Sequence, residues 1–303
     1  MKKHRMIVIG LFAAICLTAC SEGEFFELLD GFFEETATNA IDVPRASANV
    51  GSDGEASVTI FDVGQGDSAL VQSDDTTILI DTGRHDSDVI FDHLEAEEIK
   101  HIDLLILTHP HADHIGNADE IVRLYNPQTV WIDGNETTSQ VFERVVDSLL
   151  ESDAEVMEPI AGELYEQGDF FINVLNPSEE LTGDLNNDSV SIKLTYGEVS
   201  FLFTGDAEKP GEQLMIDSGI DLQSEVLIMG HHGSNTSSND FFLDKVQPDI
   251  AIYSAGENNS YGHPGEYALK RVEDIGADIY GTMDDGTIII RTDGQTINVE
   301  TDT

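Results

Sequence analysis

From residue 57 onward, short apolar runs rich in β-branched residues recur between polar breaks, at 58–61, 69–72 and 77–80. Runs this short, bounded by Gly, Asp and Ser, predict strands. At 88–97 the apolar positions fall at helical spacing, and at 102–108 the strand-like pattern returns. Further strands are predicted at 130–132, 170–175, 190–196, 199–203, 226–229, 250–253 and 288–291, with helices at 139–151, 241–246 and 266–274. Many strands with helices interspersed, and few strict strand–helix–strand units, predict two sheets packed face to face with helices outside them. This is an α+β fold in four layers, an αββα sandwich. No internal repeat of fixed short period is visible.

The first residues follow a different pattern. Lys2, Lys3, His4 and Arg5 precede an apolar run from Met6 to Ala19 that is too short to span a bilayer and remain there, so 1–19 reads as an export signal. Leu17-Thr18-Ala19-Cys20 resembles a bacterial lipobox. That resemblance implies that Cys20 becomes the first mature residue, carries diacylglycerol, and anchors the protein to a cell membrane on its extracytoplasmic side; an ordinary secretory signal is the competing reading. Residues 20–56 are acidic and rich in small polar residues, as expected of a tether. Phe25, Phe26, Phe32 and Phe33 would either lie on the membrane surface or form a short helix docked on the domain. Residues 57–303 form the expected domain, in which no segment approaches eighteen consecutive apolar residues, so its body is expected to be soluble. Cys16 and Cys20 are the two cysteines of the chain, so no disulfide partner is expected in the mature protein.

Charge narrows the setting. The chain has 59 acidic and 14 basic residues, a net charge of −45. In dilute buffer such a surface repels itself, whereas at molar salt the Debye length falls to about 3 Å and the repulsion is screened. The balance reads as halophilic adaptation to brine, with an acidic-surface partner role as the weaker alternative. Disorder is excluded because 40% of the residues are hydrophobic and fall into regular patterns.

Directly after the apolar run at 104–107 come His109-Pro110-His111-Ala112-Asp113-His114, three imidazoles and a carboxylate in six residues. Packing does not call for such a cluster. Neutral imidazole and carboxylate are ligands for Zn²⁺, Mn²⁺ or Fe²⁺, and alternate residues of a loop can face one point. Other polar groups also follow apolar runs: Asp81 after 77–80, Asp206 after 199–203, and His231-His232-Gly233-Ser234 after 226–229. Taken singly, Asp81 would mark a turn, and His263 in Tyr261-Gly262-His263-Pro264 would cap a helix.

Together these strings resemble the metallo-β-lactamase superfamily, whose signature is H-x-H-x-D-H. Asp62-Val63-Gly64-Gln65-Gly66-Asp67-Ser68, Asn186-Asn187-Asp188-Ser189, the His-His-Gly-Ser string and the Tyr-Gly-His-Pro string narrow the resemblance to the hydrolase domain of ComEC-type competence proteins, over roughly 57–297. The resemblance implies one or two divalent ions, Zn²⁺ or Mn²⁺, held by His109, His111, Asp113, His114, Asp206 and a late histidine. His231 is favoured for that last place because it comes first off the strand, which leaves His232 to steady charge on the substrate. Asp81 is implied as a buttress of the metal loop, Asp62 and Asp67 as acidity near the site, and Ser234 as a lining residue. Asp113 or His263 is the implied proton carrier, and His263 is alternatively a substrate contact.

Two departures matter. No histidine occurs from residue 115 to 230, where many superfamily enzymes carry a third ligand of the first metal, so Asn187 and Ser189 are candidates for weaker oxygen ligation there. The polytopic channel that ComEC-type proteins join to this domain has no counterpart here. The implied activity is that of a metal-dependent phosphodiesterase or nuclease. With no Lys/Arg cluster to hold a duplex, a small phosphodiester or single-stranded DNA is the expected substrate. Hydrolysis of a lactone, thioester or β-lactam, and a surface lipoprotein that binds metal or ligand without turnover, are the alternatives.

Overall fold

Alternation along the strands sorts the apolar side chains into three cores, described in a computed structural model over residues 54–302. The predicted signal and nearly all of the predicted tether lie outside the described residues. In the first sheet, β1 (Ala56–Ile60), β2 (Ala69–Ser73), β3 (Thr76–Ile80), β4 (Leu104–Ile106), β5 (Thr129–Trp131) and β6 (Glu155–Met157) are joined by β14 (Ile288–Thr292) and β15 (Ile297–Thr301). Their order is β15-β14-β1-β2-β3-β4-β5-β6. The second sheet comprises β7 (Leu164–Gln167), β8 (Phe170–Asn176), β9 (Ser191–Tyr196), β10 (Val199–Phe203), β11 (Val226–Ile228), β12 (Ile250–Tyr253) and β13 (Asp278–Gly281). These run in the order β13-β12-β11-β10-β9-β8-β7.

Period-two alternation fixes which side chain goes where. Ile78, Ile80, Leu104 and Ile106 of the first sheet meet Phe201, Phe203, Val226 and Ile228 of the second in the central core. Their neighbours Leu79, Leu105 and Leu107 turn outward against α1 (Val89–Ala96), α2 (Ala118–Tyr125) and α3 (Gln140–Glu151). On the other side Leu202, Leu227 and Met229 pack beneath α4 (Lys209–Asp217), α5 (Asp240–Val246) and α6 (Glu266–Ile275). The result is the expected four-layer αββα sandwich. A fully buried Phe201 or Ile78 contributes on the order of 2 kcal/mol through apolar area removed from water.

The parallel pairing in each sheet positions the chemistry. β3 and β4 run parallel, as do β10 and β11. Each of these strands delivers a polar residue just past its C-terminal end, where the ladder stops and the backbone is free to turn: Asp81, His109, Asp206 and His231.

Candidate metal centre

The backbone past β3 turns sharply. Asp81 adopts left-handed φ (58°), a conformation costing a non-glycine residue on the order of 1 kcal/mol. Its partners hold it there. The Asp81 N–H donates to Ile106 O at 2.8 Å, while its carboxylate accepts the Thr108 N–H (2.9 Å) and hydroxyl (2.7 Å). Past β4, the His111 N–H donates to His109 O and the His114 and Ile115 N–H groups to His111 O, all at 3.0 Å. This tight turn throws His109, His111 and His114 toward one point. The glycine loop after β1 lies against it: Asp67 N–H donates to Asp113 O (3.2 Å), and a Cβ on Gly66 would collide with that same oxygen. His231 and His232 are both left-handed, at φ 52° and 56°, which aims two consecutive rings into the same region.

Asp206 lies at the centre of the cluster. Its Oδ2 is 3.5 Å from His109 Nε2, and its Oδ1 is 3.2 Å from His114 Nε2. His109 Nε2 and His111 Nδ1 are 2.9 Å apart. Two sets of ligand atoms converge: His109, His111 and Asp206 form one, and Asp67, His114, Asp206 and His232 the other, each set lying within 4.8 Å. Asp113 Oδ2 joins the second side, 3.4 Å from His232 Nε2.

Three atoms there, His114 Nε2, His232 Nε2 and Asp206 Oδ1, are buried without a hydrogen-bond partner; the His114–Asp206 approach is close but misaligned. An orphaned buried polar atom costs about 1–3 kcal/mol. Three of them pointing at one another fit a divalent cation, which would satisfy all three at once.

Each imidazole on this side is oriented through its other nitrogen. Asp81 Oδ2 lies 2.8 Å from His114 Nδ1, Asp67 Oδ1 lies 3.0 Å from His232 Nδ1, and Glu208 Oε1 lies 3.1 Å from His231 Nδ1. An Nδ1–H donated to a carboxylate fixes the tautomer and leaves the Nε2 lone pair free for a metal.

The electrostatics show the same demand for positive charge. Burial pulls His232 down, but the nearby carboxylates of Asp67, Asp206 and Asp113 outweigh it and push the ring up to about 10. His114 is likewise raised, against the pull of burial, by Asp206 and Asp81. Burial would raise Asp206, yet His114, His232 and His109 hold it well below the usual carboxylate range. His109 behaves oppositely: burial, reinforced by His114, keeps it well below the imidazole range and therefore neutral.

The cluster forms the floor of a cavity of about 310 Å³ lined by Gln65, His111, Ala112, Asp113, Asp206, His231, His232, Tyr261 and His263. Burial pushes His263 down to about 4, so its ring is neutral at pH 7. That state suits a substrate contact and not the proton donor that His263 was also expected to be.

A family model described as "Metallo-beta-lactamase superfamily" matches residues 61–257. The chain belongs to the metallo-beta-lactamase superfamily. It is a superfamily hydrolase homologous to competence proteins. It is 32% identical over 256 residues to ComE operon protein 3 of Bacillus subtilis, a match covering 78% of this chain and 33% of that protein. It is 31% identical over 236 residues to competence protein ComA of Neisseria gonorrhoeae, covering 75% of this chain and 31% of that one. The chain thus spans about a third of the length of these curated relatives. Among solved structures, the metallo-beta-lactamase fold protein YhfI from Bacillus subtilis superposes with a TM-score of 0.52 at 15% identity, covering 79% of this chain and all of that one, a likeness of fold.

Within this superfamily frame, the structure brings together His109, His111, Asp113, His114, Asp206 and one late histidine. The late histidine is a correction. His232, 2% exposed, has Nε2 3.4 Å from Asp113 Oδ2 and 3.9 Å from Asp206 Oδ1 and belongs to a converging set, whereas His231, with its side chain 22% exposed, lies outside both sets although its Nε2 is 3.7 Å from Asp206 Oδ2. Coming first off the strand did not decide it, because two successive left-handed residues carry the second ring deeper than the first. Asp81 lies behind His114 at 2.8 Å and Asp67 behind His232 at 3.0 Å.

Three other expectations are corrected. Asn187 turns away from the site and caps α4, its Oδ1 accepting N–H groups from Glu208 (3.2 Å) and Gly211 (2.9 Å). Asp62 is exposed and closes its own turn through Gly64 N–H (3.0 Å), and Ser234 pairs with Thr236 Oγ1 (2.9 Å). Ser189 acts on the site through the backbone, its Oγ accepting the Asp206 N–H at 3.1 Å. Sequence reasoning missed Glu208, Thr108 and the cavity-lining Gln65. Glu208 is two residues beyond Asp206 and Thr108 directly precedes His109, so nearness to the motifs was the available signal.

Proposed function

We propose that the protein is an extracytoplasmic, lipid-anchored, metal-dependent phosphodiesterase acting on small phosphodiesters or single-stranded DNA. The observation that carries this reading is Asp206, whose two oxygens face two separate ligand sets, an arrangement suited to a pair of divalent ions. Similarity to competence proteins over the domain supports the phosphodiester class, and the lipobox-like Cys20 supports the anchor.

Divalent ions held here would supply Lewis acidity and make water a competent nucleophile near neutral pH. His109, His111, His114 and His232 are the imidazole ligands, with Asp113 and Asp206 as the carboxylates. Asp113 lines the cavity with Oδ2 3.4 Å from His232 Nε2 and is placed to orient the attacking water and take up the proton it loses. As the new P–O bond forms and the ester P–O bond breaks, the departing oxygen needs a proton. His231, braced by Glu208 at Nδ1, lines the cavity and is placed to pass one. His263, neutral, offers a ring nitrogen to the substrate.

The test is hydrolysis of bis(p-nitrophenyl) phosphate and single-stranded DNA in high salt by metal-stripped protein, with Mn²⁺ and Zn²⁺ restored separately and Asp113→Ala as control. Metal-dependent cleavage lost in Asp113→Ala is the expected result. Bound metal without cleavage of either substrate would overturn the phosphodiesterase reading and turn attention to lactones and thioesters. An unmodified Cys20 in mass spectra of the native N-terminus would remove the anchor.

A further inference from the structure

The cavity's chemistry leaves a problem of grip. Its floor is carboxylate and imidazole, its lining contains no Lys or Arg, and the chain carries a net charge of −45. A protein that holds a nucleic acid by its phosphates gains from counterion release, and that gain shrinks further in salt. Beyond the metal centre itself, affinity for a strand must therefore come from contacts that charge and salt leave alone.

One wall of the cavity offers such a contact. Tyr261 lines it while remaining 61% exposed, an unusual state for a large aromatic ring beside a buried site. Its ring lies parallel to that of His263, with 3° between the planes and 6.0 Å between the centroids, so two flat rings face the same way. The loop that carries them is fixed in advance. Asn259 Oδ1 accepts the N–H groups of Tyr261 (3.1 Å), Gly262 (2.9 Å) and His263 (3.1 Å). Its Nδ2 donates to Gly256 O (3.0 Å) and His263 O (2.6 Å). One side chain thus ties both ends of the turn, and a ring presented this way loses little conformational freedom when it is covered.

We propose that Tyr261, with His263 beside it, is a stacking platform for an unpaired nucleobase next to the scissile phosphodiester. This rests on the phosphodiesterase reading and names its substrate class. Every base has a π-face, so stacking is indifferent to sequence and is worth about 1–3 kcal/mol per base. A duplex hides those faces in its own stack and cannot use the platform. The cavity, about 310 Å³, is at the small end of the range for small-molecule sites and accommodates one nucleotide-sized group.

The experiment compares the full-length, Mn²⁺-loaded protein with Tyr261→Ala and Tyr261→Phe on a short dye-labelled oligothymidylate and on an abasic strand of the same length. Turnover and fluorescence anisotropy are both measured in molar salt. In Tyr261→Ala the base-bearing to abasic ratio of kcat/KM should fall roughly tenfold, with the ratio of affinities falling alongside, and in Tyr261→Phe both should stay within about twofold of wild type. Equal losses on the two strands would mean that the ring only props the loop, and would overturn the platform, as would an unchanged ratio. If no strand is hydrolysed but the affinity ratio still collapses in Tyr261→Ala, the platform stands and the phosphodiesterase reading falls. Hydrolysis with no preference for bases in the wild type would have the reverse meaning.

Discussion

Asp67 and His232 lie 165 positions apart in the chain and 3.0 Å apart in space, carboxylate Oδ1 against imidazole Nδ1. Asp81 and His114 repeat the arrangement at 2.8 Å. Both pairs put an acid behind an imidazole whose Nε2 faces Asp206. Replacing Asp67 by Asn keeps the shape but removes the charge that raises the ring's basicity. Metal affinity should weaken roughly 10- to 100-fold with the fold intact, as read by competition against a chelator beside a circular dichroism spectrum.

The two adjacent histidines should separate cleanly. His232→Ala removes a member of a converging set and should lower bound metal by one equivalent when measured by inductively coupled plasma mass spectrometry. His231→Ala should retain the full complement while turnover drops, by about 100-fold if the ring moves a proton. Equal metal loss in both variants would contradict the assignment of His232.

In metal-free protein, the stability that His232 contributes depends on pH in a defined direction. Its folded value of about 10 lies above the ordinary 6.5, so the folded state holds the proton more tightly than the unfolded chain does. That stabilisation is fully present below pH 6.5 and is lost as the pH rises through 10. Thermal unfolding of chelated protein should therefore move to lower temperature from pH 7 to 10, and Asp67→Asn should flatten the slope.

Glu212 offers a test away from the metal. It is 1% exposed on α4, joins Asn239 at 2.7 Å, and is pushed up to about 7 by burial despite that bond. A carboxyl raised in the folded state stabilises fully below pH 4.5, and the stabilisation is lost as the pH rises through 7. Glu212→Gln keeps an acceptor for Asn239 without a buried charge. At pH 8 it should be more stable than wild type by on the order of 2 kcal/mol, a difference that disappears near pH 4 in denaturant titrations.

The strands that the hydrophobic pattern reveals are the interior ones. β6, β7, β13 and β15, which the pattern did not predict, are the four edges of the two sheets. An edge strand has one neighbour and partial cover, so polar residues interrupt its apolar positions, as in Ile297-Asn298-Val299-Glu300-Thr301. α4 was hidden for a different reason: it opens Lys209-Pro210-Gly211 and buries a glutamate, so it lacks a clean apolar stripe. In the site, residues clustered in sequence were legible because their chemistry is visible without the fold. Glu208 behind His231, and the choice between His231 and His232, depend on backbone torsions that composition does not encode.

Those four edges share one more property. Each carries an exposed carboxylate: Glu155 on β6, Glu166 on β7, Asp278 on β13 and Glu300 on β15. An unpaired edge invites another chain to add a strand, and like charges brought face to face oppose it. Yet this guard is electrostatic, and in molar salt its reach contracts to about 3 Å. Molar salt, which would relieve the chain's self-repulsion, would therefore also loosen its defence against self-association.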